Sequence, residues 1–216
     1  MKTNAPFDEH VSEYEAWYEQ FPFVFQSEVA ALREMLPEGE ALTGIEVGLG
    51  TGRVAQALGI KEGIEPSVEM RTLAVRRGIE IMDGVAEELP YGDLRFDFVL
   101  MNFCISYFRE LHTPFKEAYR VLKNTGALVV GFLDRNSPIG RQYEEKKPVS
   151  TFYRNATFYT PGKVLEELRR AGFRHVEFCQ TLFNPLDRIT SVELPRPGYG
   201  DGSFVVARAM KRKQPS

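Results

Sequence analysis

The stretch Ile45-Glu46-Val47-Gly48-Leu49-Gly50-Thr51-Gly52-Arg53 sets three glycines at alternate positions behind a short apolar run. A strand feeding such a turn, with a helix after it, lets backbone N–H groups approach a ligand closely, because no Cβ stands in the way. A tight strand-to-helix turn would need fewer glycines, so the density favours a small-ligand site. A dinucleotide fingerprint requires G-x-G-x-x-G, whereas here the glycines fall at 48, 50 and 52. Glu65, 17 residues after Gly48, ends the next apolar run. A carboxylate there can accept both hydroxyls of a ribose, which fits an adenosine ligand that carries no pyrophosphate.

Other reactive side chains are scattered. His10, His112 and His175 read as surface or capping histidines, and no metal-ligand spacing is present. Asp134 follows a buried run toward the same end of the sheet and is the better polar candidate for catalysis. Cys104 reads as a small buried hydrophobe. Tyr14, Trp17 and Tyr18 crowd one N-terminal helix, with Tyr14 and Tyr18 further candidates at a reacting centre.

The elements that must hold these residues follow from periodicity. Apolar runs at 42–47, 60–65, 79–82, 96–101, 127–132, 174–182 and 203–210 read as seven strands. Helices fall between them: 51–58, one capped by Ser67 with Met70, Leu73 and Ala74 on one side, one started by Thr113-Pro114 and stopped by Asn124-Thr125-Gly126, and one started by Thr160-Pro161. Two more, at 8–20 and 27–36, precede the first strand, the second capped by Ser27 and stopped by Pro37. Alternating strands and helices imply βαβ units, hence an α/β fold with a mostly parallel sheet and helices on both faces. The last two strands, with no crossover helix, make an antiparallel pair at one edge. The segment 135–158 shows no clear period, carries Tyr143, Phe152, Tyr153 and Phe158, and is long enough to hold a helix of its own.

With 216 residues, 43% hydrophobic and 26% charged, the chain suits one globular domain. A net charge of -3 argues against nucleic acid as the main partner. Two cysteines cannot make a disulfide framework, no apolar run spans a membrane, and Met1 to Asn4 lead into no secretion signal. A cytoplasmic monomer or homodimer acting on a small molecule is expected. The Lys211-Arg212-Lys213 tail reads as solvated.

Four segments in order resemble the class I S-adenosylmethionine-dependent methyltransferases, in particular the ubiquinone and menaquinone methyltransferase-like branch. Residues 45–52 resemble E/D-x-G-x-G-x-G, and Glu65-Pro66-Ser67-Val68-Glu69-Met70 resembles acid-Pro-Ser-x-x-Met. Gly84-Val85-Ala86-Glu87-Glu88-Leu89-Pro90-Tyr91-Gly92-Asp93 resembles G-x-A-E-x-L-P-F-x-D. Glu117 to Gly126 resembles E-x-x-R-V-L-K-P-G-G.

The resemblance implies a Rossmann-like methyltransferase fold and S-adenosylmethionine as cofactor. It implies that Gly48, Leu49 and Gly50 lie under the methionine and ribose portions, with Glu46 below them. Glu65 would hold the ribose, Pro66 and Met70 would flank the adenine, and Ala86 would offer its backbone to that ring with Glu87 beside it. Asn102 would sit near the amino-acid end. Val85 stands where many relatives carry an aspartate that receives the adenine amino group, so that contact is either missing or supplied by backbone. By the same resemblance residues 1–40 form a helical cap, 41–133 the cofactor half, 134–160 a substrate-side insertion and 161–216 the closing helix and strands. A cofactor-binding sensor or scaffold, and a nucleotide-dependent oxidoreductase, are the competing readings.

Overall fold

A computed structural model describes residues 5–39 and 41–211, so Met1 to Asn4, and Arg212 and Lys213 of the basic tail, lie outside the described residues. In chain order the elements are α1 (Ala5–Glu9), α2 (Val11–Gln20), α3 (Pro22–Met35), β1 (Gly44–Val47), α4 (Arg53–Leu58), β2 (Glu62–Ile64), α5 (Val68–Arg76) and β3 (Glu80–Met82). They continue with β4 (Phe96–Asn102), α6 (His112–Val121), β5 (Leu122–Leu133), α7 (Pro138–Lys146), α8 (Pro161–Arg170), β6 (Arg174–Thr181), β7 (Arg196–Pro197) and β8 (Phe204–Met210).

One sheet runs β3-β2-β1-β4-β5-β8-β6-β7. The first five of these strands are parallel, and β8 pairs antiparallel with both β5 and β6. The expected α/β architecture is therefore present, with eight strands instead of seven. The added strand, β7, pairs with Cys179 and Gln180 through two residues only, too short for any apolar alternation to announce it. The expected antiparallel pair at one edge is β6 with β8, with β8 lying between β5 and β6 and the short β7 outermost.

Successive side chains of a strand face opposite sides, and β4 divides its residues between two cores accordingly. Val99 and Met101 join Phe115, Ala118, Val164 and Leu168 of α6 and α8. Phe98 and Leu100 join Leu32, Ala55 and Ala74 of α3, α4 and α5. Helices on both faces explain why the parallel strands read as continuous apolar runs.

Several boundaries differ from expectation for identifiable reasons. The first helix breaks at His10 into α1 and α2, and the next begins five residues before Ser27, at Pro22 in its first turn. Ser27 is interior, its hydroxyl donating to the Phe23 carbonyl at 2.6 Å. Helix α6 starts before Thr113, because the Glu110 carboxylate accepts from the His112 and Thr113 amides. It ends at Val121, and Asn124-Thr125-Gly126 is a bulge within β5, where the pairing jumps from Phe96 with Leu122 to Phe98 with Ala127. The aperiodic segment does contain a helix, α7, whose cap is the Ser137 hydroxyl accepting from the Gly140 amide.

The N-terminal helices are fastened over the C-terminal ends of the parallel strands. Glu15 of α2 accepts from the Thr51 hydroxyl, from Arg53 Nε at 2.9 Å and from Arg77 Nη2 at 2.6 Å. Asp8 of α1 accepts from the Ser67 hydroxyl at 2.6 Å. Burial alone would raise the Glu15 pKa, but the hydrogen bonds from Arg53, Thr51 and Arg77 outweigh it and hold it below 4.5. A depressed carboxylate stabilises the fold above its unfolded pKa, and that contribution is lost as pH falls through the lower folded value. Replacing Glu15 by alanine strands two half-buried guanidinium groups, at a cost of about 1–3 kcal/mol. The expected outcome is a melting temperature lowered by a few degrees at pH 7, with the gap to the wild type closing in acid scans as the pH falls well below 4.5 and the carboxylate is protonated.

Candidate active site

Strand order reverses between β1 and β4, whose connections leave in opposite directions and open a crevice at their C-terminal ends. The glycine turn leaves β1 there. Gly48, Gly50 and Gly52 all have positive φ, 68°, 58° and 80°, a conformation that costs a side-chain-bearing residue free energy. A Cβ on Gly48 would lie 2.6 Å from that of Cys104, and one on Gly50 would lie 3.0 Å from the Tyr14 hydroxyl.

Across the turn, Glu65 is buried just past β2. Its two oxygens accept from the Gly50 and Ser67 amides, each at 2.9 Å. Burial raises its pKa, while those two hydrogen bonds and nearby Arg71 pull the other way. A carboxylate has about four acceptor positions, so two remain for hydroxyl donors. The sequence-derived assignment of a ribose to this residue is compatible with that count.

Among the described residues, two more buried side-chain oxygens near the turn lack partners. Glu46 is 2% exposed, and its Oε2 has no hydrogen bond. Burial pushes its carboxyl well up, opposed by a backbone hydrogen bond from Ala55 and reinforced by Glu65. Asn102, at the end of β4, has a buried Oδ1 with no partner, lying where a Cβ on Gly131 would come within 2.4 Å. The Cys104 thiol is raised by burial first, then by the charges of Glu46, Glu65 and Glu87. Acids on β1, beyond β2 and after β3 therefore converge on one place, a setting suited to a cation.

A cavity of about 210 Å³ opens from this point. Gly48, Gly50, Glu65, Met70, Asn102 and Cys104 line it. So do Glu28 and a set of rings, among them Tyr14, Trp17, Tyr18, Phe103, Tyr143 and Tyr153, with the Tyr14 hydroxyl beside Gly50. The Tyr14 and Tyr18 hydroxyls are 2.8 Å apart, and both phenols are pushed up by burial, so neither is a proton acceptor near neutral pH. Tyr143 stacks on Tyr153 at 4.9 Å between centroids, which builds the far wall from the segment 135–158.

Not every expected residue faces the cavity. Asp134 does not line it: its Oδ1 accepts from the Asn136 amide at 3.0 Å and its carbonyl from the Ser137 hydroxyl at 2.7 Å, fixing the turn into α7. Leu133, one residue earlier, lines it instead. None of the three histidines reaches it. Leu49 and Ala86 are core residues, while Pro66, Val85 and Glu87 are half-buried beside the crevice and outside the cavity wall. Reading the sequence missed Glu28, Phe7, Phe103 and Tyr107. For Glu28 a signal exists: it interrupts the apolar stripe of α3 between Val24 and Ala31. For Phe103 none does, because its left-handed backbone at φ 56° depends on the β4–β5 pairing.

Residues 45–130 match the methyltransferase domain family. A SAM-dependent methyltransferase from Thermotoga maritima, described as a possible histamine N-methyltransferase, has a crystal structure similar to this one. It is 42% identical, with a TM-score of 0.94, over 97% of this chain and 100% of that one. An uncharacterised protein of Methanocaldococcus jannaschii is 38% identical over 95% of this chain and 98% of its own length. A demethylmenaquinone methyltransferase of Chlorobaculum tepidum is 27% identical over 64% of this chain and 68% of its own. Among the described residues no helix is long and apolar enough to cross a membrane. The glycine turn beside a buried acid and the full-length likeness to a methyltransferase agree, and the chain belongs to the class I S-adenosylmethionine-dependent methyltransferases.

Proposed function

We propose that this enzyme methylates a small organic molecule held in the ring-lined cavity, and that positioning and water exclusion do most of the work. One observation carries this reading: a single cavity is lined both by the glycine turn with Glu65 and by a set of aromatic rings. S-adenosylmethionine supplies, when bound, a methyl group already activated by the positive charge on its sulfur.

Gly48, Leu49 and Gly50 present backbone to the methionine and ribose, Glu65 accepts the ribose hydroxyls, and Asn102 offers its orphaned oxygen to the amino-acid end. Pro66 and Met70 flank the adenine, with Val85, Ala86 and Glu87 on its far side. Glu46 adds negative potential beneath the turn. Holding the acceptor in line with the methyl group can lower the barrier by about 7–11 kcal/mol. The faces of Tyr14 and Tyr18 attract positive charge with about 0.5–2 kcal/mol. The tyrosines thus steady the reacting centre and keep water out. The insertion carrying Tyr143 and Tyr153 shapes the choice of acceptor, and α1 and α2 close the entrance. A small organic acceptor also agrees with the description of the Thermotoga relative.

Calorimetry with S-adenosylmethionine and S-adenosylhomocysteine tests the cofactor end. Glu65→Ala should weaken binding by at least about tenfold through the lost acceptor positions. Gly50→Val should abolish it, since the branched side chain enters the space that Gly50 leaves open at φ 58° beside Tyr14. Unchanged affinity in both variants would misplace the site. Methyl transfer to at least one compound of a small-molecule panel distinguishes the enzyme from a cofactor-binding sensor.

A further inference from the structure

Glu28 is 3% exposed on α3 and lines the cavity shared by the glycine turn and the rings. Among the described residues nothing donates a hydrogen bond to its carboxyl and no cation pairs with it. Of the other acids around the crevice, Glu15 is met by two arginines and Glu65 by two amides, while Glu46 beneath the glycine turn keeps one oxygen unpaired. A buried polar group without a partner is costly and calls for a reason. Its position in the wall of a cavity supplies one: the partner is a ligand.

The surroundings restrict that ligand. An ionised carboxyl offers only acceptor oxygens, so a ligand that keeps Glu28 charged must bring an N–H or O–H donor, and best a cation. Tyr18, Tyr143 and Tyr153 lie close enough for their phenols to feel the Glu28 charge, and aromatic faces favour a cation over a neutral donor. Glu13 and Glu65 border the same space and add negative potential. We infer that the acceptor is a small primary or secondary amine whose protonated nitrogen docks on Glu28 and passes its proton to that carboxylate. This rests on the methyltransferase reading and names its substrate class and a second-substrate residue.

The proton balance is definite. The ammonium nitrogen gives one proton to the Glu28 carboxylate and recovers a lone pair. That pair forms the N–C bond as the C–S bond breaks, its electrons staying with sulfur, and Glu28 returns its proton to solvent. One proton is released for each methyl transferred.

Burial pushes Glu28 up to about 8, so the free site holds a proton at neutral pH. The phenols facing it, Tyr18 from α2, Tyr143 from α7 and Tyr153 from the short turn Tyr153–Asn155, are all raised by burial and stay neutral there. An ammonium that docks on protonated Glu28 must expel one proton below pH 8 and none above it.

Calorimetry with S-adenosylhomocysteine comes first, since failure to bind overturns the methyltransferase reading itself. The complex is then titrated at pH 7, in buffers of different ionisation heat, with 2-phenylethylamine, benzylamine and cyclohexylamine and with the three matching alcohols. Amines are expected to bind at least about tenfold tighter than the alcohols and to release about one proton, a release that disappears above pH 8. Glu28→Gln should keep its affinity for S-adenosylhomocysteine, lose the proton release and weaken amine binding about tenfold. Three results would overturn the inference with the cofactor site intact: no amine binding, alcohols binding as tightly, or a variant that binds amines like the wild type. Proton release in the wild type needs no variant and decides the matter even if Glu28→Gln does not fold.

Discussion

The hydrogen bonds from the Gly50 and Ser67 amides to the two oxygens of Glu65, each at 2.9 Å, join three separate pieces of chain. The glycine turn, the end of β2 and the cap of α5 meet at one buried carboxyl. Each needs the others. Gly50 can point its amide inward only in a left-handed conformation, Glu65 can stay buried only because amides face it, and Ser67 must also cap α5 by accepting from the Met70 amide. The junction lies beside the strand-order reversal, where parallel strands leave a crevice that helices do not fill. Moving it would require a different sheet.

The N-terminal helices and the ring-lined wall depend on that junction in turn. Tyr14 rests its hydroxyl where a Gly50 side chain would stand, so the absent Cβ serves both the turn and the helix above it. Glu15 then ties α2 to Thr51 and Arg53, one and three residues past Gly50, and Asp8 ties α1 to Ser67. The N-terminal helices are thus fastened to the glycine turn and to the cap of α5, not to a distant part of the fold. Loss of these links opens the cavity before it disturbs the sheet, because the two cores flanking β4 contain no residue of α1 or α2 among their fully buried members.

Much of this was legible from residue types. The central parallel strands β1, β4 and β5 are largely buried, so each announced itself as an apolar run, and the glycine spacing excluded a dinucleotide turn. Ser67, Thr160 and the helix within 135–158 followed from capping and length. What escaped depends on contacts between distant segments. Glu110 displaced Thr113 as the cap of α6 through side-chain geometry that spacing does not encode. The β5 bulge arises from pairing with β4, so Asn124-Thr125-Gly126, which reads locally as a stop, lies inside a strand. Asp134 was placed at the correct end of the sheet, but its carboxyl serves the turn before α7, and no local pattern distinguishes that from facing the cavity. Glu28 was hidden because a lone acid on a helix is ordinarily solvated, and only the packing of α2, α7 and the turn at Tyr153 encloses it.

The buried acids divide by what neutralises them. Glu15 has arginines in the protein and therefore contributes to the fold. Glu46 and Glu65 raise the Cys104 thiol together with Glu87, and Glu65 raises Glu46, so negative charge at this end of the crevice works against itself. A cation placed among them relieves that repulsion, whereas a neutral molecule of similar shape does not. The donor of a methyl group is a sulfonium and its product an uncharged thioether. With the cofactor held as proposed, the arrangement favours the donor over the product by electrostatics, without a contact to the methyl group. Under the proposed role of Glu28, the acceptor's end follows the same rule. Both reactants bring positive charge to acids that burial has made reluctant to ionise, and one positive charge leaves as a proton.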